Sequence, residues 1–393
     1  MADSGSEEEL TISNDLVVTK YKMAGDMVNC ILKEVHAAIA PGKKVLEICE
    51  FGDNRLLEET GKVYKNKDIK KGIAFPTCIS INNCVCHFSP LRSDKEVEFK
   101  EGDLVKVDLG AHIDGFVAVC AYSFVVGASK DNKVKDRRAD AILAAHNSAE
   151  AVLRKLKQEV ENYDVTEVIQ KVSESFECQP IQGMLSHQLK QHVINGEKSI
   201  IQNPTDEQRR EHEKCSLEMN EVYAVDVLVS TGEGKSKEGD TRTTVFKKTD
   251  AKYNLKSKTS RVFYSDVSNR FTVMPFTLRG FEDEGRARLG VVECVKHSLV
   301  EPYPVFYEKE GEFVAQFKFT VLLMPNGPLR ITQAPVDVSG YESEKKIEDK
   351  DMLALLQTSV SKRNLKKMRK KAAHKAAEAA EGKEAPQLVK ADE

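Results

Sequence analysis

The order of apolar patterns along the chain constrains the fold most strongly, because each half of the sequence has two helical patterns followed by strand patterns. Apolar residues recur at helical spacing in the segments 16–39, 45–61, 137–157 and 165–176. Apolar runs or alternating patterns occupy the segments 104–110, 115–126, 221–229 and 312–324. A period of three to four residues predicts an amphipathic helix, whereas alternation or a short apolar run predicts a strand. The sequence therefore predicts an α+β fold whose two halves resemble each other.

The two ends of the chain differ from its middle in charge and in hydrophobicity. Residues 1–14 are acidic and polar, and residues 342–393 contain few apolar residues. The second of these segments includes seven Lys or Arg within the eleven residues 361–371. Charged segments of this kind usually remain solvated. We therefore predict a disordered acidic N-terminus over 1–14, a folded body over 15–341 and a flexible lysine-rich tail over 342–393.

Composition argues against several classes of protein. No stretch of the sequence approaches the roughly 20 apolar residues that span a bilayer, so we expect no membrane insertion. The acidic start is unlike a signal peptide or a transit peptide. The nine cysteines are scattered without a CxxC pair, which favours reduced thiols inside the cell over a disulfide framework. The densest group, Cys84-Val-Cys86-His87, has no second ligand pair at zinc-finger spacing, and we interpret its cysteines as buried thiols.

Five short motifs, in the order in which they occur, resemble the type-two methionine aminopeptidases. They are GIAFPT with NNCVCHFSP, then VKVDLG, LSHQL, NEVYAVD and VAQFKFTVLLMP, and together they span about residues 75–325. The resemblance implies the pita-bread fold, in which two related αβ halves enclose a metal site. It also implies a mostly helical insertion that type-one enzymes lack, which we place at about 247–300.

The metal-ligand positions of that family are only partly preserved in this chain. The resemblance places them at Asp108, Val119, His187, Asp226 and Lys318, where the family has Asp, Asp, His, Glu and Glu. Valine has no donor atom, and a lysine ammonium near the position of a divalent ion would repel it. A dinuclear metallopeptidase needs its ions to lower the pKa of a bridging water. We therefore predict that no metal site forms, that the chain has no cofactor, and that it is not an enzyme.

Two further positions concern the substrate side of the same cleft. The family's substrate-side histidine corresponds to His87, which we treat as vestigial, and a second histidine position holds Asn195. The two retained histidines and the first aspartate are also compatible with structural roles as hydrogen-bonded core residues. For Lys318 we predict the role of an internal counter-ion that pairs with Asp108 or Asp226 and holds together what the metals hold in the family.

Clusters of basic residues are the second sequence feature that indicates a function. The first cluster directly precedes the GIAFPT motif and comprises Lys65, Lys67, Lys70 and Lys71. The second lies in the expected insertion and comprises Lys247, Lys248, Lys252, Lys256, Lys258 and Arg261. Aromatic residues interleave with the second cluster, namely Tyr253, Phe263 and Tyr264. Because cations contact phosphates and aromatic rings stack on unpaired bases, we predict RNA binding here; a solvated basic face over a small core is the alternative.

The C-terminal tail adds the densest positive charge in the sequence. Its basic residues are Lys362, Arg363, Lys366, Lys367, Arg369, Lys370 and Lys371. Such a run attracts nucleic acid and is equally typical of nuclear or nucleolar targeting. Upstream of it, Met352–Leu356 resembles a leucine-rich coregulator helix in which methionine replaces the first leucine. The tail therefore predicts contacts with RNA and a nuclear location.

Catalytically inactive members of this fold, with the same insertion and a basic tail, provide the most specific resemblance. It rests on the strings DLVVTKYKMAGD, QLKQHVINGEKSIIQNPTDEQ and PFTLRGFEDE. The resemblance implies binding to RNA and to the large (60S) ribosomal subunit, with roles in ribosome biogenesis, translation, growth control and transcriptional co-repression. It also implies a location in the cytoplasm and in the nucleus, including the nucleolus, and partners such as the cytoplasmic region of a receptor tyrosine kinase and transcriptional regulators.

Two other functions remain open at this point. The first is a protein-only adaptor for receptors or transcription factors, and the second is a residual metal-dependent methionine aminopeptidase. Nothing in the sequence resembles a dimerisation coiled coil, so we expect a monomer.

Overall fold

A nine-stranded antiparallel sheet lies at the centre of the computed structural model, which describes residues 10–65 and 67–360. The helices are α1 (Asp15–Ala38), α2 (Val45–Lys62), α3 (Arg137–Lys155), α4 (Asn162–Glu174), α5 (Asp206–Glu211), α6 (Lys258–Arg270), α7 (Glu284–Lys296) and α8 (Lys350–Gln357). The strands are β1 (Lys71–Ile81), β2 (Cys84–Cys86), β3 (Leu104–Ile113), β4 (Phe116–Val125), β5 (Gln179–Pro180), β6 (Leu185–Leu189), β7 (Ser199–Ile201), β8 (Val222–Ser230), β9 (Lys237–Glu238), β10 (Val245–Lys248), β11 (Phe276–Thr277), β12 (Val300–Tyr303), β13 (Phe306–Tyr307), β14 (Val314–Met324) and β15 (Gly327–Arg330).

The strand order of the central sheet divides the fold into two halves. Strands β1, β3 and β4 form one side, and β14, β8, β6 and β7 form the other, with β4 paired to β14 at the junction. Strand β15 pairs with β14, and β5 pairs with β8. Helices α1 and α2 pack on the first three strands, while α3 packs on β8 and β14 with α4 beside it. This is the α+β arrangement of two related halves that the sequence predicts.

Helix α1 covers one side of the main core with the apolar face that its sequence predicts. The side chain of Asn14 accepts a hydrogen bond from the backbone N–H of Leu16 and so caps the first turn. The apolar face is buried at Val17, Val18, Tyr21, Ala24, Val28, Ile31, Leu32 and Val35. Gly25 lies on the same face, where a Cβ would come within 2.7 Å of the carbonyl oxygen of Ile331. A side chain at this position would therefore push α1 away from the segment that follows β15.

The insertion has a small hydrophobic core of its own. Strands β11, β10 and β12 form a three-stranded sheet in that order, and helices α6 and α7 pack against each other beside it. The buried residues of this unit are Leu91, Phe246, Leu255, Phe263, Val267, Phe276, Leu278, Phe281, Ala287, Val291, Cys294, Leu299 and Val300. A Cβ on Gly290 would lie 2.5 Å from the Cβ of Phe263, so glycine permits the close crossing of the two helices. The segment 247–300, which we predict to be an insertion, forms two helices with strands at its edges.

The N-terminal end of the body begins earlier than the sequence suggested. Ile12, within the segment predicted to be disordered, is only 3% exposed and belongs to the main core. Its burial is possible because one apolar side chain just before a capped helix can fold back onto the same core. The boundary predicted at residue 14 is therefore wrong for this residue.

The C-terminal end of the body extends beyond the predicted boundary at 342. Helix α8 packs against α3 and α4, with Met352 buried and Leu355 and Leu356 packed against the main core. Arg154 also donates from Nε to the carbonyl oxygen of Thr358 at 3.1 Å. The segment 342–360, predicted as flexible tail, therefore lies on the folded body, because three apolar residues at helical spacing are enough to dock a short helix. None of the helices in the two described ranges has the length and apolar character needed to cross a membrane.

Candidate functional site

The strand register brings three of the five predicted ligand positions into one row across the central sheet. Asp108 on β3 is opposite Ala121 on β4, and Ala121 is opposite Lys318 on β14. Lys318 is in turn opposite Asp226 on β8. Side chains in register on neighbouring strands lie on the same face of a sheet, and neighbouring strands are about 4.8 Å apart. The small side chain of Ala121 leaves the space above β4 open, so the long lysine side chain can reach across it.

Lys318 lies at the centre of this row and bonds to both carboxylates. Its Nζ is 2.6 Å from Oδ2 of Asp108 and 2.9 Å from Oδ2 of Asp226. The three side chains are between 6% and 15% exposed, so solvent screens the attraction only weakly. The ammonium also lies 5.2 Å from the centre of the Phe75 ring, at cation–π distance. The prediction that Lys318 pairs with one of the two aspartates is confirmed, and it pairs with both.

The two carboxylates differ in how many other partners they have. Gln316 donates from Nε2 to both carboxylate oxygens of Asp226, at 2.9 and 3.1 Å. Within the described part of the chain, the Oδ1 atom of Asp108 is buried and has no hydrogen-bond partner. A buried carboxylate is costly unless it is paired. Asp108 therefore depends on Lys318 more strongly than Asp226 does.

The protonation of this cluster reflects a balance between burial and charge. Burial raises the pKa of the Asp108 carboxyl to about 6, against the opposing attraction of Lys318. Burial alone would lower the pKa of the Lys318 ammonium, but the combined attraction of Asp108 and Asp226 raises it above its ordinary value. Lys318 is therefore charged at neutral pH and remains the bridge between the two carboxylates.

The two retained histidines lie beside the cluster as neutral rings. Burial, followed by the charge of Lys318, lowers the pKa of His87 and of His187 to about 4 in each case. His87 donates from Nδ1 to the carbonyl oxygen of Pro304 at 3.0 Å. Its ring also meets the ring of Tyr303 edge-on, with centroids 5.2 Å apart. His87 is therefore packed and hydrogen-bonded, as expected for a residue with a structural role.

The residues of this site do not fit a pair of divalent ions. Val119 has no side-chain donor at the second ligand position, and its backbone N–H and C=O are both bonded to the hydroxyl of Thr320. The ammonium of Lys318 lies between the two aspartates that would have to bind the ions. Across residues 10–65 and 67–360, no group of three or more His, Cys, Asp or Glu side chains is arranged to hold a metal. This donor set does not provide the metal-activated water that a metallopeptidase uses.

Sequence reasoning missed two residues of the site. Gln316 is two positions before Lys318 on β14, so the alternation of a strand places both side chains on one face, and that spacing could have identified it. Ala121 is visible only once the pairing of β4 with β14 is known. Asn195, at the second histidine position, is exposed in the loop between β6 and β7.

The cysteine-rich motif behaves as predicted. Cys84 and Cys86 are free thiols, each 5% exposed. Burial raises the pKa of both thiols above the ordinary value, so both remain protonated and unreactive at neutral pH. The interpretation of these residues as buried thiols is confirmed.

The first basic cluster is mostly exposed where the chain enters β1. Lys65, Lys67 and Lys70 are exposed to solvent. Lys71 is half-buried, and its Nζ donates to the carbonyl oxygen of Val63. Three of the four predicted lysines are therefore accessible to a partner, whereas Lys71 serves the local fold.

The second basic cluster divides into accessible and internally bonded residues. Lys252, Lys256 and Lys258 are exposed. Lys247 is half-buried and pairs with Glu301 at 3.1 Å. Lys248 lies over the ring of Tyr264, 5.5 Å from its centre. The accessible charge is thus concentrated in the loop before α6 and at the start of that helix.

Two further residues of this region, Arg261 and Phe263, are less available to RNA than the sequence predicts. Arg261 donates from Nη1 to the carbonyl oxygens of Leu255 and Lys256, at 2.9 and 2.8 Å, so its guanidinium is partly engaged in shaping the loop. Phe263 is only 4% exposed and cannot stack on a base, because its ring fills the core between α6 and α7. Tyr253 is 38% exposed. The basic tail residues from Lys362 to Lys371 lie outside the described residues.

Residues 19–247 match the model of metallopeptidase family M24. The chain belongs to this family. It is 48% identical to ERBB-3 binding protein 1 of Solanum tuberosum, with 84% of each chain covered. It is 40% identical to a curved DNA-binding protein of Schizosaccharomyces pombe, with 94% of this chain and 97% of that protein covered. A solved structure of a thermophilic Arx1 matches with a TM-score of 0.83 at 31% identity, covering 89% of this chain and 99% of that one.

These similarities confirm two predictions made from the motifs. The M24 match extends over the first four of the five motifs, and the Arx1 match extends over most of the chain. The pita-bread fold is therefore confirmed. The group of relatives indicated by the strings DLVVTKYKMAGD, QLKQHVINGEKSIIQNPTDEQ and PFTLRGFEDE is the one whose members are named ERBB-3 binding protein 1, and this kinship is confirmed as well.

Proposed function

We propose that this chain is a non-catalytic member of family M24 that binds RNA and the large ribosomal subunit through lysines on its surface. The bridge from Lys318 to Asp108 and Asp226 carries the first half of this proposal. An ammonium cannot activate water as a Lewis acid does, and here it occupies both carboxylates that a metal would need. An internal ion bridge therefore takes the place of metal ions in the cleft, and the cleft has no part in hydrolysis.

Exposed lysines on the folded body support the second half of the proposal. The accessible residues are Lys65, Lys67, Lys70, Lys252, Lys256 and Lys258. Lys67 lies over the ring of Tyr64, 5.7 Å from its centre, and remains exposed like the others. Exposed ammonium groups can neutralise phosphates and release counterions. One of the relatives is named a curved DNA-binding protein, which is compatible with recognition of a phosphate backbone. The resemblance to inactive members of the fold directs the proposal to the 60S subunit and to ribosome biogenesis, rRNA processing and translation.

Co-sedimentation with purified 60S subunits over a series of salt concentrations tests this proposal. The intact chain should be compared with a chain that ends at Val360, because residues 342–360 pack on the body and should be retained. We expect saturable binding that weakens steeply with salt, and binding by the shorter chain that is reduced but not abolished. Failure of the intact chain to sediment with the subunits at low salt would overturn the proposal.

The same proposal includes a location in the cytoplasm and in the nucleus, including the nucleolus. The basic tail would provide the targeting signal. A fluorescent fusion of the intact chain should enter nucleoli, whereas a fusion that ends at Val360 should be depleted from them. Equal nucleolar signal from both fusions would show that the tail is not the targeting signal.

A protein adaptor is the second candidate function, and the name ERBB-3 binding protein 1 carried by a relative favours it. Its test is binding to the cytoplasmic region of a receptor tyrosine kinase after treatment with ribonuclease. Binding that survives this treatment, and that persists when the exposed lysines are neutralised, would support an adaptor. Binding that disappears would show that RNA mediates the association.

A further inference from the structure

The loop before α6 presents an aromatic ring whose orientation is already fixed. The rings of Tyr253 and His297 are stacked, with centroids 3.6 Å apart and an angle of 10° between their planes. Tyr253 is 38% exposed, whereas His297 is half-buried at the C-terminal end of α7. One face of the tyrosine therefore rests on the histidine, and the ring remains accessible to solvent.

Several hydrogen bonds hold this loop against α7 and the strand after it. The carboxylate of Glu293 accepts hydrogen bonds from the backbone N–H groups of Lys256 and Ser257, at 2.7 and 3.0 Å. The backbone N–H of Thr249 donates to the carbonyl oxygen of Leu299 at 3.0 Å. Leu255 is 8% exposed and anchors the loop in the core of the insertion. A ring held in this way loses little conformational entropy when a ligand binds to it.

Each member of the stacked pair has an exposed lysine as its neighbour in the chain. Lys252 precedes Tyr253 in the chain, Lys296 precedes His297, and both lysines are exposed. Asp250 is an exposed acidic residue in the same loop, but the nearby carboxylate of Glu293 is engaged with the loop backbone. An accessible aromatic ring with exposed cations next to it in the chain is the combination that binds a base by stacking and its phosphates by charge.

We propose that Tyr253 is a stacking platform for an unpaired base of single-stranded RNA, with Lys252 and Lys296 contacting the adjoining phosphates. This inference rests on the proposed RNA binding and assigns one contact of it to a defined residue. Of the three aromatic residues that the sequence interleaves with lysines here, Phe263 is buried and Tyr264 lies beneath Lys248. A duplex would not use this contact, because its bases are already stacked on each other.

The absence of tryptophan from the sequence makes a direct test feasible. The chain has no Trp, so a Tyr253→Trp variant would carry a single indole at the platform. Stacking of a base on this indole should quench its fluorescence. A matched control is Tyr163→Trp on α4, where the tyrosine ring also meets a histidine, His212, with centroids 5.7 Å apart.

The probe for this test is a short oligoadenylate, used as a single strand and again after annealing to its complement. In the Tyr253→Trp variant, we expect the single strand to quench the indole fluorescence in a saturable way, and we expect the duplex to quench it much less. The indole of the Tyr163→Trp variant should respond to neither probe. Equal responses of the two variants would indicate non-specific quenching and would overturn the proposal.

Substitution provides the second readout. Tyr253→Ala should weaken binding of the single strand roughly tenfold, as expected for loss of one base–aromatic stack. Tyr253→Phe should bind as the wild-type chain does, because the ring and not the hydroxyl makes the contact. If the wild-type chain binds the single strand but Tyr253→Ala binds it equally well, the assignment of Tyr253 as a stacking platform is wrong, whereas the proposed RNA binding stands. If the wild-type chain binds no RNA, the proposed function itself fails.

Discussion

Lysine has opposite roles in the cleft and on the insertion. In the cleft, Lys318 is buried and bonded to two carboxylates, so its charge is neutralised within the fold. On the insertion, Lys252 and Lys256 point their charge at solvent, where a partner can reach it. Net charge and residue type therefore do not locate function in this chain. What matters is whether the protein itself already supplies the counter-ion.

Substitutions in the cleft and on the insertion should therefore have different consequences. Removing the buried charge should damage stability, because its partners are left without compensation in a medium of low dielectric constant. Removing exposed charges should leave stability almost unchanged and should weaken binding to a polyanion.

The largest expected effect is on the cleft. Lys318→Ala should lower the free energy of unfolding by about 4 kcal/mol, because two buried carboxylates lose their common cation. Asp108 should be affected most, since its second oxygen has no partner among the described residues. Denaturation with urea, followed by circular dichroism, measures this change.

A neutral replacement of the whole cluster is the matched control. The variant that combines Asp108→Asn, Asp226→Asn and Lys318→Met removes all three charges together, so its stability should return to within about 1–2 kcal/mol of the wild-type value. Metal chelators should leave the melting temperature of the wild-type chain unchanged. A fall in melting temperature on chelation would contradict the account of a lysine-centred site.

A smaller loss of stability is expected where the insertion joins the body. Arg279, only 4% exposed, pairs with Asp53 on α2 at 2.6 Å and donates to Ser89 Oγ at 2.9 Å. Arg279→Met should lower the free energy of unfolding by about 3 kcal/mol, because Asp53 loses its buried partner. Melting curves of the variant and of the wild-type chain give the comparison.

The chain offers a surface counterpart to this arginine. Arg92 also connects α2 to the insertion, through Glu50 at 2.6 Å and Glu284 at 3.2 Å, but its side chain is 55% exposed. Arg92→Gln should cost no more than about 1 kcal/mol, because exposed ion pairs contribute little. Equal losses at positions 279 and 92 would refute the distinction between buried and exposed pairs.

The next effect is a dependence of stability on pH that arises from the two neutral histidines. The pKa of His87 and of His187 falls from 6.5 to about 4 on folding. Between these pH values the unfolded chain binds more protons, so the free energy of unfolding falls as the pH falls. Replacing either histidine with Gln should reduce the loss between pH 7 and pH 5 by roughly 2 kcal/mol, and replacing both should remove about twice as much. Urea titrations at several pH values provide the measurement.

Protonation of Asp108 changes the free energy of unfolding in the opposite direction over part of the same pH range. Its pKa rises from 3.8 to about 6 on folding, so the folded chain binds more protons there and gains stability as the pH falls through about 6. The wild-type profile should therefore be shallower than the histidines alone would give. A double histidine variant with the same acid sensitivity as the wild-type chain would contradict the assignment of buried neutral rings.

The fold was largely predictable because its signals are local. Apolar periodicity located helices α1 to α4 and the strands β3, β4, β8 and β14. The docking of α8 was missed because three apolar residues in a polar segment give too weak a pattern. Ile12 was missed for the same reason.

The site was predictable in its residues but not in its geometry. The resemblance located Asp108, Asp226 and Lys318, yet only the strand register shows that one ammonium reaches both carboxylates. Similarly, spacing alone could not distinguish the exposed Tyr253 from the buried Phe263, since burial depends on how α6 packs on α7. Long-range packing therefore decides which members of a sequence cluster are available for function.

The most direct test compares the 60S affinity of two variants with that of the wild-type chain across a series of salt concentrations. The surface variant combines Lys252→Gln, Lys256→Gln and Lys258→Gln, and the cleft variant is the neutral replacement of Asp108, Asp226 and Lys318. We expect the cleft variant to bind as the wild-type chain does. The surface variant should bind at least roughly tenfold more weakly, with a logarithmic salt dependence reduced by about 2. Loss of binding in the folded cleft variant, with none in the surface variant, would contradict the account.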